Sequence, residues 1–257
     1  MRRWTRRSAR PGFRVVNGRR VLELEVSKAD QMTALAAAGF DVPRTLAVAG
    51  TGGLPAAARK LPVPFISKPS QGGKGLGVRL FTSHDEFDAH LAGPDYEAPV
   101  DGITLLQEYL QAAEPFITRA EIVGGEFMYA ITADTAGGFE LCPADACAVD
   151  QPSGAGDPPA LFAFRKNFHD PVIGRYLEFA REQGIEIAGF EFIETSGGRL
   201  VTYDINTTTN YNALIEATVP RPALPQVAAF LGRLLEEETG NRRAEPGVQA
   251  MAGRRFG

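Results

Sequence analysis

Cysteine is nearly absent from this chain. Cys142 and Cys147 are the only two in 257 residues, too few for a disulfide framework. Neither has a histidine close by in sequence, which argues against zinc. Histidine is as sparse: His84, His90 and His169 stand singly in helix or loop contexts. No Ser–His–Asp or Cys–His arrangement is legible, so a side-chain nucleophile is not expected. No apolar run approaches the roughly 20 residues of a membrane helix. The formal charge of −4 gives no general case for nucleic acid. The arginine-rich start, "MRRWTRRSARPGFRVVNGRR", has no Asp or Glu and lacks the apolar core of a secretory signal. It is expected to be a flexible or truncated leader. With 44% hydrophobic and 23% charged residues, the composition is that of an ordinary soluble protein, expected in the cytoplasm.

What the chain does have is a glycine loop, "PFISKPSQGGKGLGVRLF", Pro64 to Phe81. A Walker A loop needs a Ser or Thr after its lysine, and Gly75 follows Lys74. A Rossmann fingerprint opens a helix, whereas "VRLF" after Gly77 favours a strand. The remaining reading is a flap between two antiparallel strands. Gly72, Gly73 and Gly75 let its backbone N–H groups approach a phosphate without Cβ clashes. Lys68, ending the first strand, brings an ammonium as a point charge.

A second constellation follows in "AGFEFIETSGGRLVTYDINTTTNYN". Alternation puts Asp204 and Asn206 on one face of a strand, with Glu191 opposite them across a hairpin. Val201, Tyr203 and Ile205 are expected on the other face. Two carboxylates and an amide oxygen are hard ligands suited to Mg²⁺ or Mn²⁺.

Between these landmarks the pattern alternates strand and helix. "RVLELEV", 20–26, alternates like a strand. "SKADQMTALAAAGF" reads as a helix capped by Ser27. "SHDEFDAHL" reads as a helix with a Ser83/Glu86 capping box. "ITLLQEYL" reads as a strand, and Gly124–Gly125 as the turn of a hairpin. The stretch 142–170 is rich in Pro, Gly, Asp and Ala and reads as one long loop. Helices are expected over "DPVIGRYLEFAREQG" and "ALPQVAAFLGRLLEEETG", with a loose tail from Asn241.

Taken in order, these motifs resemble the ATP-grasp proteins, most of all the carboxylate–amine ligases that include ribosomal-protein glutamate ligases and D-alanine–D-alanine ligases. The resemblance runs from about Ser27 to Asn212. It implies an α+β fold in which two subdomains grip ATP. The implied divisions are a basic leader or domain remnant (1–26), a lysine helix with the lid and flap (27–106), a subdomain with the metal site (107–240) and a tail (241–257). It implies nucleotide contacts from Lys28, Lys68, Gly72, Gly73, Lys74 and Gly75. The stretch Gln107, Glu108, Tyr109 and Leu110 would line adenine, largely through backbone. Arg119 matches the arginine near the transferring phosphate. Glu191, Asp204 and Asn206 match the metal ligands. The implied activity is ATP-dependent joining of a carboxylate to an amine through an acyl phosphate. Alternatives are a kinase-type phosphotransferase and a non-catalytic nucleotide-binding partner subunit.

The chain also departs from that pattern. The ligases usually carry a Rossmann-like domain before the lysine helix, and the expectation is that it is truncated or absent here. A partner or homodimer is then a candidate for the missing wall. Ile117 stands where the glutamate ligases have an acidic residue. "NTTTNYN" replaces a small-Pro-Gly turn, bringing Asn210, Tyr211 and Asn212 to the expected substrate border. Arg165 and Lys166 are candidates to clamp a carboxylate or phosphate. Asp145 and Asp150 favour an amine-bearing substrate. The expected substrate is a small molecule, amino acid or peptide, with no nucleic acid and no membrane.

Overall fold

Two short amphipathic helices open the described part of the chain. The computed structural model describes residues 14–73, 75–136 and 161–244. Helix α1 (Arg19–Glu25) replaces the strand expected over 20–26. Val21 and Leu24 lie three apart, so a helix puts both on one face, where they are buried. That burial against a sheet outweighs the alternating pattern. Nor are residues 14–26 a free leader. Asn17 Nδ2 donates to the carbonyls of Ile187 and Thr207, at 2.7 and 2.9 Å. Its Oδ1 accepts from the N–H groups of Glu186 and Ile187.

Helix α2 (Lys28–Ala37) starts as expected, with the Ser27 side chain accepting from Asp30 N–H. The chain then enters a four-stranded sheet. Its elements are β1 (Thr45–Ala49), α3 (Leu54–Ala58), β2 (Phe65–Pro69), β3 (Arg79–Phe81), α4 (His84–Ala92) and β4 (Ile103–Glu108). The order is β1-β4-β2-β3, antiparallel throughout. Phe65, Phe81, Phe87 and Leu106 pack with Leu54 and Ala58 into a core under α3 and α4. His84 stacks on Phe65, and His90 lies against Phe81. Both are therefore part of this packing.

Residues 109–115 cross to the second sheet, tied to it by Ala113 N–H on the Glu194 carbonyl (2.8 Å). This sheet has β5 (Phe116–Val123), β6 (Glu126–Asp134), β7 (Phe162–Phe164), β8 (Ile187–Glu194) and β9 (Leu200–Asn206), ordered β7-β6-β5-β8-β9. Strand β7 lies inside the long loop expected over 142–170. Its "FAF" pairs with β6 as a short edge strand. Cys142, Asp145, Cys147 and Asp150 lie outside the described residues.

Helix α5 (Val172–Gln183) joins α1 and α2 over one face of this sheet, with Tyr176, Phe179, Phe190, Phe192, Ile205 and Leu35 in the shared core. It ends at Gly184, whose φ of 69° is left-handed, as glycine allows. Helices α6 (Ala213–Glu216) and α7 (Ala223–Ala244) cover part of the opposite face, through Ile215, Val219 and Phe230. Helix α7 runs past Asn241, where a loose tail was expected.

The lysine helix packs with the second sheet and not with the lid. Met32 and Leu35 join the core of that sheet. Gln31, fully buried, lies against edge strand β9. Its Oε1 accepts from Ile205 N–H and its Nε2 donates to the Ile205 carbonyl, each at 2.9 Å. One side-chain amide thus satisfies both outward backbone groups of Ile205 on this edge.

Candidate nucleotide and metal site

The site lies where the ends of β2 and α2 meet the face of the second sheet left free by α6 and α7. The two parts are joined directly by the Lys28 N–H donating to the Ser70 carbonyl at 3.0 Å. Ser70 follows β2 and opens the glycine loop.

That loop is a flap between antiparallel strands, as expected: β2 and β3 pair with Phe65 opposite Phe81. Gly75 and Gly77 have φ of 74° and 75°, which a residue with Cβ would adopt only with strain. Lys74 lies outside the described residues.

Lys68 is buried on β2, paired with Leu105 of β4. Its neighbours on that face are Ile66 and Gln107, away from the α3/α4 core. Burial, and then the positive charge of Lys28, push its pKa down to about 8. Gln107 is buried and donates to Thr45 Oγ1 at 2.8 Å. Glu108 Oε1 accepts from Arg44 N–H. Tyr109 and Leu110 fall just past the end of β4, in the crossing segment.

Glu191 and Asp204 stand directly opposite each other on β8 and β9. Asn206 follows two residues on, opposite Gly189. Immediately beyond the Glu191–Asp204 pair the register shifts, so that Phe192 meets Thr202 and Tyr203 has no partner. This β-bulge corrects the expected faces. It aims two consecutive side chains, Tyr203 and Asp204, at the site. Tyr203 Oη donates to Glu191 Oε2 at 3.0 Å. Thr202 lies on the core side, bonded to Tyr176 Oη, and Val201 does not share a face with Ile205. Alternation alone could not reveal Tyr203, because a bulge changes its phase.

The electrostatics divide the two carboxylates. Burial and the neighbouring Asp204 raise the pKa of Glu191, against the pull of Arg119 and Lys28. Burial would raise Asp204 too, but the charges of Lys28 and Lys68 hold it below its ordinary value. Lys28 Nζ is 2.5 Å from Asp204 Oδ1. Burial acts to lower the Lys28 pKa, and Asp204 more than reverses this, leaving it raised.

Arg119 on β5 pairs with Glu191 on β8. Its Nε donates to Glu121 Oε1 at 2.6 Å, and its Nη2 reaches Thr209 Oγ1 and the Asn210 carbonyl. Gly189 makes room for it: a Cβ there would stand 2.7 Å from Arg119 Nε. Glu121 has no counterpart among the sequence-derived candidates. Its spacing of two from Arg119 on a strand was the available signal.

Arg165 is not brought here. It bonds Thr118 Oγ1 at 2.7 Å, pairs with Glu194 at 2.7 Å and lies over the Phe168 ring. Thr118 alternates with Arg119, so Arg165 sits on the other side of the sheet. Asn212 caps α6, its Oδ1 accepting from Leu214 and Ile215 N–H. Asn210 is exposed beside Arg119.

The donor set suits a divalent cation. Glu191 Oε1 and Asp204 Oδ2 accept no hydrogen bond from any described residue, and neither does Asn206 Oδ1. These are three oxygen donors from two adjacent strands.

No protein-family model matches the chain, and no curated protein matches it by sequence. Solved structures do. The ATP-grasp ligase PsnB, complexed with a minimal precursor, Mg and ADP, is 17% identical with a TM-score of 0.59, over 86% of this chain and 62% of that one. D-cycloserine synthetase DcsG is 15% identical with a TM-score of 0.60, over 84% and 72%. A RimK-domain ATP-grasp protein from Sphaerobacter thermophilus DSM 20745 is 18% identical with a TM-score of 0.59, over 85% and 72%. The chain has the ATP-grasp fold. It spans about three fifths of the length of the first structures it matches, such as 61% for PsnB with its minimal precursor. Among the described residues, no helix is long and apolar enough to cross a membrane.

Proposed function

We propose that the chain is an ATP-dependent ligase that joins a carboxylate to an amine through an acyl phosphate, releasing ADP and phosphate. One observation carries this reading. Lys28, Lys68 and Arg119 come from separate elements and converge on the Glu191–Asp204 pair, in a fold shared with ATP-grasp ligases.

Each group has a role its chemistry suits. Lys68 and Lys28 offset nucleotide phosphate charge. The flap, with Gly72, Gly73, Lys74 and Gly75, closes over the β- and γ-phosphates and excludes water that would hydrolyse an acyl phosphate. Gln107 to Leu110 line the adenine. Glu191, Asp204 and Asn206 hold Mg²⁺ or Mn²⁺, which when bound neutralises phosphate charge. Tyr203 orients Glu191 for that task. Arg119 faces the phosphoryl group in transfer. The substrate is an amino acid or peptide bordering Asn210 and Asn212. In support, structural neighbours include a macrocyclase bound with a precursor peptide and a D-cycloserine synthetase.

Thermal denaturation with and without Mg–ATP tests the first half of this reading. A rise in melting temperature is expected, and its absence would refute nucleotide binding. Mass spectrometry with amino acids and small peptides tests the second half. ADP should appear together with a condensed product. A phosphorylated acceptor as the stable product would turn the reading to a phosphotransferase.

A further inference from the structure

We infer that Glu121 is a positioning residue, which with Thr209 sets the guanidinium of Arg119 so that one edge is held and the other is presented to the reacting phosphoryl group. The inference rests on the nucleotide reading above. Glu121 is 1% exposed and accepts from Arg119 Nε at 2.6 Å. Thr209 Oγ1 lies 3.1 Å from both carboxylate oxygens of Glu121 and also meets Arg119 Nη2. The Asn210 carbonyl takes Nη2 as well, at 3.2 Å. The Nε–Nη2 edge is thus fully engaged by β5 and the turn after β9. Nη1 is different. It lies 4.0 Å from Glu191 Oε1, beyond hydrogen-bond reach. Two donors are therefore left on the side of the metal-ligand pair. Gly189 is the third part of the device, since any side chain there would displace the guanidinium.

A planar fork held on one edge loses little freedom when its other edge meets a transferring phosphoryl group, which is how preorganised donors lower a barrier. The arrangement also links that arginine to the Thr207–Asn210 turn at the proposed substrate border. A substrate that shifts Thr209 would shift Arg119 with it.

The test uses the full chain with Mg–ADP, alone and with aluminium fluoride, which mimics the phosphoryl group in transfer. Wild type should show a rise in melting temperature with Mg–ADP and a further rise with the fluoride. Glu121→Gln should keep the first and lose most of the second, its affinity for the analogue falling on the order of 10-fold or more. Thr209→Val, which leaves the buried charges in place, should do the same and serves if Glu121→Gln does not fold. No response of wild type to Mg–ADP or Mg–ATP refutes the nucleotide reading itself. A response to Mg–ADP with no fluoride increment in wild type, or an increment kept by the variants, overturns the role of Glu121.

Discussion

Lys28 and Asp204, 176 residues apart, are joined by a 2.5 Å contact between Nζ and Oδ1. It pins the start of α2 to the edge strand of the second sheet and leaves Asp204 Oδ2 free. Removing the Asp204 charge leaves the part-buried Lys28 with only the more distant carboxylates of Glu191 and Glu25. Asp204→Asn should therefore lower stability by about 2 kcal/mol and weaken the thermal response to Mg–ATP. Chemical denaturation with and without Mg–ATP measures both. The pH dependence follows from the directions of the shifts. Asp204 is depressed, so its contribution is present above the ordinary carboxylate range and lost as pH falls through its lower folded value. Lys28 is raised, so its contribution is present below the ordinary lysine range and lost as pH rises through its higher folded value. Denaturation midpoints across pH should show both limbs in wild type.

Lys68 behaves in the opposite sense. Its pKa is lowered from 10.5 to about 8, so the unfolded chain binds the extra proton between those values. Stability should rise with pH across that window. Below it, the charged form is held at a cost, and Lys68→Met should stabilise the nucleotide-free protein by up to about 3 kcal/mol at pH 7 while abolishing Mg–ATP binding. Binding that draws on the ammonium should take up a proton near pH 8. Calorimetry in buffers of different ionisation enthalpy reads that uptake directly.

Gly189→Ala is expected to be far more damaging than its size suggests. The new methyl group would stand 2.7 Å from Arg119 Nε and 3.1 Å from its Cδ and Cγ. Either the guanidinium leaves Glu121, or the sheet shifts. The cost should be about 1–3 kcal/mol, read by thermal denaturation. Product formation should fall more than Mg–ATP binding does.

Gln31→Leu removes the side-chain amide that pairs with Ile205 on β9. The Ile205 carbonyl would lose its partner and its N–H would keep only the 3.2 Å contact to Asp204 Oδ1, at about 1–2 kcal/mol. Because the same strand carries Asp204 and Asn206, the Mg–ATP shift should weaken as well. Full retention of both stability and shift would refute this account of the edge.

Much of this arrangement was legible from local chemistry. Ser27 and Ser83 both cap the helices expected of them. Gly124–Gly125 turns the β5–β6 hairpin, with φ of 59° and 80° that glycine alone adopts without strain. The flap strands, and the Glu191–Asp204 opposition, follow from turn residues and alternation. The failures came where distant contacts outweighed a local pattern. "RVLELEV" alternates, yet becomes α1 because Val21 and Leu24 find a sheet to bury against. Period-two counting puts Tyr203 on the wrong face, because a bulge is invisible to it.

Residue type and short-range geometry set the parts: which residues bear charge, where glycine permits a flap, and that hard oxygen ligands follow on one strand face. Which of these parts meet is a matter of long-range packing. It set Lys28 on Asp204, folded Arg119 across Gly189 onto Glu121, and turned Arg165 to the opposite side of the sheet. The physical reason is burial. A charge removed from water must find partners, and which partners are within reach depends on the packing of segments far apart in the chain.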